Sequence, residues 1–329
     1  MKKPLFSARF ALSAAFSSAL CAALLAFPAA AQNFPERPVT IITPYAAGGG
    51  LDVVTRAVAQ RLTALWGQQV NVENRPGAGS TVGTTAAAKA RPDGYTLLTG
   101  STPLGVAPAV YANLAYDVKR DFAPLSMIGT TPEVLVVNPA LNVNSAGELA
   151  ALAKGGRKLN FGSAGSGTLA HLAAASFNTR AALGGTHIPY KGSNPALTDL
   201  LGGQIDWLFD TPTAVLPHVR SGKLKALAVA AAQRSPQLAN VPTLAEAGYA
   251  DMDFRIWIAL LAPAATPEPV LRRLEAGILE VMKNPELRAQ LTAQGWDLAG
   301  TTSKEFAAFL DKELPKLAAA ARGAGVKVD

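Results

Sequence analysis

Cysteine is almost missing from this chain: 329 residues hold one, Cys21. It falls in an N-terminal segment that reads as removable, so the mature chain is expected to have no thiol. That excludes a disulfide, a cysteine-ligated metal and a thiol nucleophile. Histidine is nearly as scarce. His171, His187 and His218 lie in separate segments without the spacing of a zinc pair, and neither a metal nor an organic cofactor is expected. Charged residues make up 16% of the chain, with no Lys/Arg run interleaved with aromatics, which argues against nucleic acid as a partner.

Enzyme motifs are also missing. There is no Gly-x-Ser-x-Gly nucleophile elbow. Gly77-Ala-Gly79-Ser-Thr-Val82-Gly83 approaches a dinucleotide fingerprint, but Val82 stands at its third small position and no acidic residue ends a strand about twenty residues on. Gly162–Thr168 lacks the Gly-Lys pair of a phosphate loop. Asp199, Asp206 and Asp210 could bring two carboxylates together for acid–base work, or be one helical, one turn and one strand-end residue. An α/β enzyme is therefore the weaker alternative.

What is present starts with an export signal. Lys2, Lys3 and Arg9 precede an uncharged Ala/Leu/Phe-rich stretch from Phe10 to Phe27, Pro28 breaks it, and Ala29-Ala30-Ala31 supplies small residues for cleavage before Gln32. The stretch is marginal for a membrane span of about 30 Å. Residues 1–31 are thus read as a cleaved signal peptide and the product as periplasmic. Removing them takes the formal charge from +7 to +4 with the loss of Lys2, Lys3 and Arg9, a mild bias toward acidic small molecules. The 298 residues left of 329 exceed what one core supports, so two domains are expected.

Short β-rich runs alternate with helical patterns. Val39–Thr43, Val70–Asn74, Tyr95–Gly100, Glu133–Val137, Leu159–Gly162, Thr186–Pro189, Ile205–Asp210 and Lys225–Ala230 read as strands. Leu51–Trp66 shows apolar residues at helical spacing in Val54, Val58, Leu62 and Leu65. Ser145/Glu148, Thr243/Glu246 and Thr302/Glu305 match capping boxes. The alternation implies an α/β fold of mostly parallel sheets flanked by helices. Breaks at Thr131-Pro132 and Gly248–Asp253, each followed by a strand-like run, divide the chain into one lobe of residues 32–131 plus 255–329 and a second of 132–254. Two crossings would make a hinge. Three helices (Pro267–Lys283, Pro285–Gln294, Ser303–Ala321), with no strand among them, are expected to cover the first lobe.

Four strand-to-helix turns are rich in Gly, Ser and Thr: Thr43–Asp52, Gly100–Pro103, Gly162–Thr168 and Tyr190–Ala196. Glycine admits close backbone approach, and free amides at a helix start attract anions. Such turns sit at the carboxyl edge of a sheet, where ligands bind. Each alone also has a purely structural reading; four together point to a site. Asp52 stands where it could cap its own helix and compete for those amides. Trp257 fits either the core or the rim of a cleft, and Lys191 either a solvated turn or an anion contact.

These residues resemble the periplasmic receptors of tripartite tricarboxylate transporters, often called Bug proteins. The likeness lies in Pro44-Tyr-Ala-Ala-Gly-Gly-Gly-Leu-Asp52, Glu73-Asn-Arg-Pro-Gly-Ala-Gly79, Pro92-Asp-Gly-Tyr-Thr-Leu-Leu98, Phe161–Thr168 with His171, Pro189–Ala196, Leu201-Gly-Gly-Gln-Ile-Asp206 and Val241–Gly248. The resemblance implies a two-lobed periplasmic binding protein fold with a ligand cleft between the lobes, working as a monomer with membrane permease subunits. It implies that a small carboxylate is gripped by loop amides and waters, with Tyr45, Ala47, Gly48, Gly49 and Asp52 facing Tyr190, Gly192, Ser193 and Ala196. Ser101, Thr102, Ser163, Ser166 and Asp210 would meet the rest of the ligand. The chain departs from the family pattern at Leu104 and Ala107, where His and Asn are usual, and at Tyr45, where Phe is usual. A ligand-binding sensor for a membrane signalling partner would share this sequence.

Overall fold

Each lobe grows from βα units whose strands are too apolar, and whose helices too one-sided, to stand alone. The computed structural model describes residues 34–323; the expected leader, with its cleavage point at Ala31–Gln32, lies outside them. Three units open the chain: β1 (Val39–Thr43) with α1 (Gly50–Trp66), β2 (Val70–Asn74) with α2 (Thr81–Ala88), and β3 (Thr96–Ser101) with α3 (Pro103–Val110). β1 pairs in parallel with both β2 and β3. The stripe of α1 is buried as its spacing requires, with Val54, Val58 and Leu62 at 1% exposure or less. Each such side chain contributes about 1.5–3 kcal/mol by leaving water. Leu65, the fourth residue of the expected stripe, is instead 47% exposed, and Trp66 packs against the core in that last turn.

After a short α4 (Val118–Asp121), strand β4 runs from Phe122 to Val137. It is far longer than the expected Glu133–Val137, and its two halves serve different sheets. From Phe122 to Pro132 it pairs antiparallel with β9 (Arg255–Pro263). From Glu133 onward it pairs with β7 (Trp207–Asp210) on one side and β8 (Lys225–Ala230) on the other. The second set of parallel strands, β5 (Asn160–Ser163), β6 (Thr186–Pro189) and β7, alternates with α5 (Ala146–Lys154), α6 (Leu169–Arg180), α7 (Ser193–Leu201) and α8 (Pro212–Arg220). The full order is β2-β1-β3-β9-β4-β7-β5-β6. The expected parallel ladders form both wings, and the antiparallel ladders come from the strands at the middle.

The chain closes with α9 (Glu268–Met282), α10 (Pro285–Ala293), a two-residue strand β10 (Asp297–Leu298) and α11 (Ser303–Gly323). Strand β10 corrects the expectation of helices alone. It pairs with Gly129–Thr130 of β4, where a Cβ on Gly129 would lie 2.6 Å from the Asp297 carbonyl oxygen. Two of the three expected capping boxes close reciprocally, Thr243/Glu246 and Thr302/Glu305; Ser145 accepts from the Glu148 amide, but Glu148 accepts from the amide of Asn144. Ser145 and Thr302 start helices, whereas the reciprocal Thr243/Glu246 bonds close a turn only. Trp257 is 1% exposed, packed edge-on against Phe306 and Phe309, and so belongs to the core. Among the described residues no helix is long and apolar enough to cross a membrane.

Candidate functional site: the edge where the loops converge

Helix starts leave amides unpaired unless something caps them, and the chain treats its helix starts unequally. α4, α5 and α10 carry side-chain caps from Asp117, Ser145 and Asn284. By contrast, α1, α3, α7 and α8 begin after Gly49, Thr102, Gly192 and Thr211 with no side-chain hydrogen bond to the cap. Three of the four, α1, α3 and α7, start at expected loops, and α8 follows the carboxyl end of β7; the helix of the remaining expected loop, α6, is capped by the Thr168 hydroxyl. The starts of α1 and α8, one from each sheet, meet: a Cβ on Gly50 would lie 3.6 Å from Thr213 Cβ.

The first loop is held from within. Asp52 is 2% exposed and accepts from the Gly48 amide at 2.9 Å, from Arg56 Nε at 2.9 Å and from Asn74 Nδ2 at 2.7 Å. Asn74 Nδ2 also donates to the Tyr45 carbonyl. Burial pushes the Asp52 carboxyl up, but Arg56, the Gly48 amide and Asn74 together hold it below the ordinary carboxylate range. In this structure the Asp52 carboxylate and the Gly48 amide, both expected to face a ligand, satisfy each other. Ala47 is exposed and Gly49 half-buried. The Tyr45 phenol is turned inward; burial pushes it far up, and the hydroxyls of Ser101 and Ser80 pull it partly back. Ser101, fully buried, donates to the Trp257 carbonyl, so its proton is not free for a ligand. Thr102 is 1% exposed and its hydroxyl has no partner.

In the second lobe, Ser163 is engaged with the Gly165 carbonyl and amide and with His187 Nε2 at 2.7 Å. In this structure its hydroxyl serves the loop. Ser166 is exposed at the tip. His187 and His171, far apart in sequence, stack at 3.8 Å between centroids and 7° between planes. His171 Nδ1 accepts the Gly167 amide at 3.1 Å, so it must be unprotonated there. Burial lowers both rings, His187 to about 4 with a further push from His171.

The Tyr190 phenol donates to Asp199 at 2.6 Å, and a Cβ on Gly162 would lie 3.2 Å from the Tyr190 ring. Burial, with Asp199, pushes that phenol up to about 12, and its side chain serves the fold. Ala196 is 1% exposed and lies in the core. Gly192, at φ 115°, needs to be glycine. Ser193 Oγ donates to Asp210 Oδ1 at 3.0 Å, and the Thr211 amide donates to the same oxygen at 2.8 Å. Asp210 is nonetheless pushed up to about 6, burial outweighing those bonds.

Two residues at this edge went unread in the sequence: Thr213, whose hydroxyl donates to the Gln294 carbonyl at 3.0 Å and so joins the lobes, and Glu133. Glu133 is 1% exposed with neither carboxyl oxygen partnered. Its signal was a lone acid opening an apolar strand run after Pro132. No group of three or more His, Cys, Asp or Glu that could hold a metal occurs among the described residues.

Comparisons fit this geometry. A family model described as tripartite tricarboxylate transporter family receptor matches residues 54–324. The chain is 38% identical over 307 residues to the protein BugT of Bordetella pertussis, covering 92% of this chain and 94% of that one. A Rhodopseudomonas palustris protein with adipate is similar at 30% identity and TM-score 0.85, over 89% of this chain and 99% of that one. MatC of the same organism, with bound malate, is similar at 31% identity and TM-score 0.81, over 88% and 100%.

Proposed function

The chain belongs to the tripartite tricarboxylate transporter receptor family, the Bug proteins, and from that membership we propose that its cleft captures a small carboxylate for membrane permease subunits. The protein is a two-lobed periplasmic solute-binding receptor and not an enzyme. The observation that carries the ligand class is the set of helix starts without side-chain caps, α1 and α3 in one lobe and α7 and α8 in the other, of which α1 and α8 meet. First-turn amides there favour an anion through hydrogen bonds and the helix dipole. Relatives with adipate and malate support the same class.

The lobes are taken as residues 32–131 plus 255–329 and residues 132–254. Support comes from the register of β4, where Pro132 pairs with Arg255 and Val134 with Asp210. The receptor acts as a monomer after cleavage between Ala31 and Gln32, and N-terminal sequencing of exported protein starting at Gln32 checks the cleavage. A micromolar receptor needs about 8 kcal/mol of net binding. With about 1.5–3 kcal/mol per hydrogen bond to a charged group and the ordering cost to offset, roughly six to eight donors suffice.

Thermal shifts with succinate, malate, adipate and citrate test the reading. An acid at about a hundred times its dissociation constant stabilises by about 2.7 kcal/mol, a rise on the order of 5 °C. Gly49→Val is the informative variant. Gly49 has φ −72°, which valine adopts, and an added Cβ meets only the Ala46 carbonyl oxygen, at 3.4 Å. It should fold and lose the shift. A full shift in Gly49→Val, with none in Lys191→Ala, would replace the amide grip with a charge-paired pocket.

A further inference from the structure

Away from the glycine-rich loops, the second lobe ends in a basic face. Strand register lines up Lys225 of β8, Val137 of β4, Trp207 of β7 and Phe161 of β5, so the segments that lead into β5, β7 and β8 gather at the edge opposite those loops. Lys154, Arg157 and Lys158 stand there ahead of β5, and Arg220, Lys223 and Lys225 at the entry to β8. Asn144 links the two groups. It accepts from Lys225 Nζ at 2.8 Å and directly precedes the cap of α5, whose last turn holds Lys154. All six basic residues are exposed except Lys225, which is half-buried. Strands β4 and β7 lie between β8 and β5, three spacings of about 4.8 Å each, so the face is about 14 Å across.

These charges are scarcely compensated. In the first lobe Arg37 pairs with Asp93, Arg61 with Glu286, Lys119 with Asp311 and Arg272 with Glu268. Among the described residues, only Arg157 of the six has a carboxylate partner, Asp206 at 3.6 Å, and that acid already accepts from the Asn160 amide at 2.7 Å. Glu148, the other acid near this edge, accepts from the Asn144 amide. Helix carbonyls attract cations, which accounts for Lys154 and Arg220 in the last turns of α5 and α8. It does not account for Arg157, Lys158, Lys223 and Lys225, which lie on connections and a strand. Like charges this close repel one another, and an anionic surface laid over them relieves that repulsion.

Shape and composition select the partner. Gly155-Gly156, Gly202-Gly203 and Ser221-Gly222 separate the basic residues, and a Cβ on Gly156 or Gly222 would meet nothing within 4 Å. The face is open and of low relief. The large apolar side chains exposed among the described residues, Leu65 and Val82, belong to the first lobe, so this face lacks the apolar anchor on which protein interfaces depend. We propose that it docks the receptor on an anionic phospholipid surface, its lysines and arginines meeting lipid phosphates with no apolar group inserted. The glycine-rich loops at the other ends of β5 and β7 stay uncovered, so docking does not depend on what the cleft holds.

Cosedimentation of the mature protein with vesicles of mixed phosphatidylcholine and phosphatidylglycerol tests this, with phosphatidylcholine alone as the neutral surface. Binding to the anionic vesicles is expected to be about ten-fold tighter or more, and to be lost in about 0.5 M salt, where screening shortens the reach of each charge. Each basic residue near such a surface strengthens adsorption about five-fold, so Lys158→Glu with Lys223→Glu should weaken it by at least about fifty-fold. Lys304→Glu with Lys312→Glu makes the same change in net charge on exposed lysines of α11, and should weaken it by no more than about five-fold. Should the first pair fail to fold, Lys158→Gln with Lys223→Gln is expected to weaken adsorption by about ten-fold or more. Equal losses from the two glutamate pairs would make adsorption a matter of net charge and overturn the assignment. Equal binding to neutral vesicles, or binding to neither, would overturn it too. Absence from vesicles together with retention on polyglutamate, abolished by the Lys158 and Lys223 changes, would give the face to an acidic protein segment instead.

Discussion

Asp52 in the first lobe and Asp210 in the second follow or precede comparable strand-to-helix turns, and both are buried, at 2% and 5% exposure. Their carboxyls move in opposite directions. Asp52 receives a backbone amide, an asparagine amide and a guanidinium, enough to overcome burial and keep it charged. Asp210 receives one amide and one hydroxyl, both on the same oxygen, too little to offset its burial. The first lobe thus presents a loop fixed by its own hydrogen bonds, whereas the second presents a carboxyl that burial holds up at about 6. Burial sets the size of the stakes; the count and charge of donors set the sign.

The largest effect should come from removing the donors' anchor in the first lobe. Asp52→Ala leaves Arg56, Asn74 and the Gly48 amide unmatched and should cost about 3 kcal/mol, while Asp210→Asn at pH 7.5 should cost under about 1 kcal/mol or stabilise. Urea denaturation of both variants checks this, and equal losses would erase the contrast between the lobes.

Next comes the pH dependence of Asp210. Its native value, about 6, lies above the ordinary value near 3.8, so the folded state binds the extra proton between them. Stability should therefore fall as pH rises from about 4 to 6 and level off above, by about 3 kcal/mol. The stability difference between Asp210→Asn and wild type should grow across that window; a flat difference would break the assignment.

The histidine stack gives a smaller slope of opposite sign. His187 is lowered from 6.5 to about 4, so the unfolded chain binds the extra proton in that range. Stability should fall as pH drops from 6.5 to 4, by about 1 kcal/mol given its partial exposure. His187→Gln should remove that fall in denaturation series at pH 4.5, 5.5 and 6.5. The smallest change is expected at the exposed Lys191. Lys191→Ala should weaken acid binding less than about three-fold, and less still in 0.5 M salt, since the lysine only steers. A larger, salt-independent loss would move the second lobe's grip from amides to charge.

Much of the scaffold was legible because its signals are local. The run Val39–Thr43, the stripe of α1 and the Ser145 and Thr302 caps each state their structure within a few residues. The first half of β4 was not legible for an equally physical reason. Pro124, Gly129 and Pro132 punctuate it, and such residues normally end strands. Here Pro124 and Gly129 border register shifts in the ladder with β9, Gly129 lets β10 approach, and Pro132 sits at the crossing between sheets. The site was legible as loops but not as side chains. Ser101, Ser163 and Tyr190 have ligand-type chemistry in ligand-type loops, yet their hydroxyls are bonded to Trp257, His187 and Asp199.

Composition, periodicity and turn chemistry by themselves determined the class of this protein: a thiol-poor, exported α/β chain with glycine-rich strand-to-helix turns. Those properties depend on neighbours in the chain, and neighbours are what a sequence displays. Tertiary structure alone decided which polar groups are satisfied. Asp52 became a structural anion because α1 and β2 bring Arg56 and Asn74 to it, and His171 meets His187 only through the packing of α6 on β5 and β6. Glu133 became an unpartnered acid because β4 carries it into the second sheet across from Ala230, on an apolar face. Hydrogen bonding and desolvation act over a few ångströms of space, and that distance is set by the fold rather than by separation along the chain.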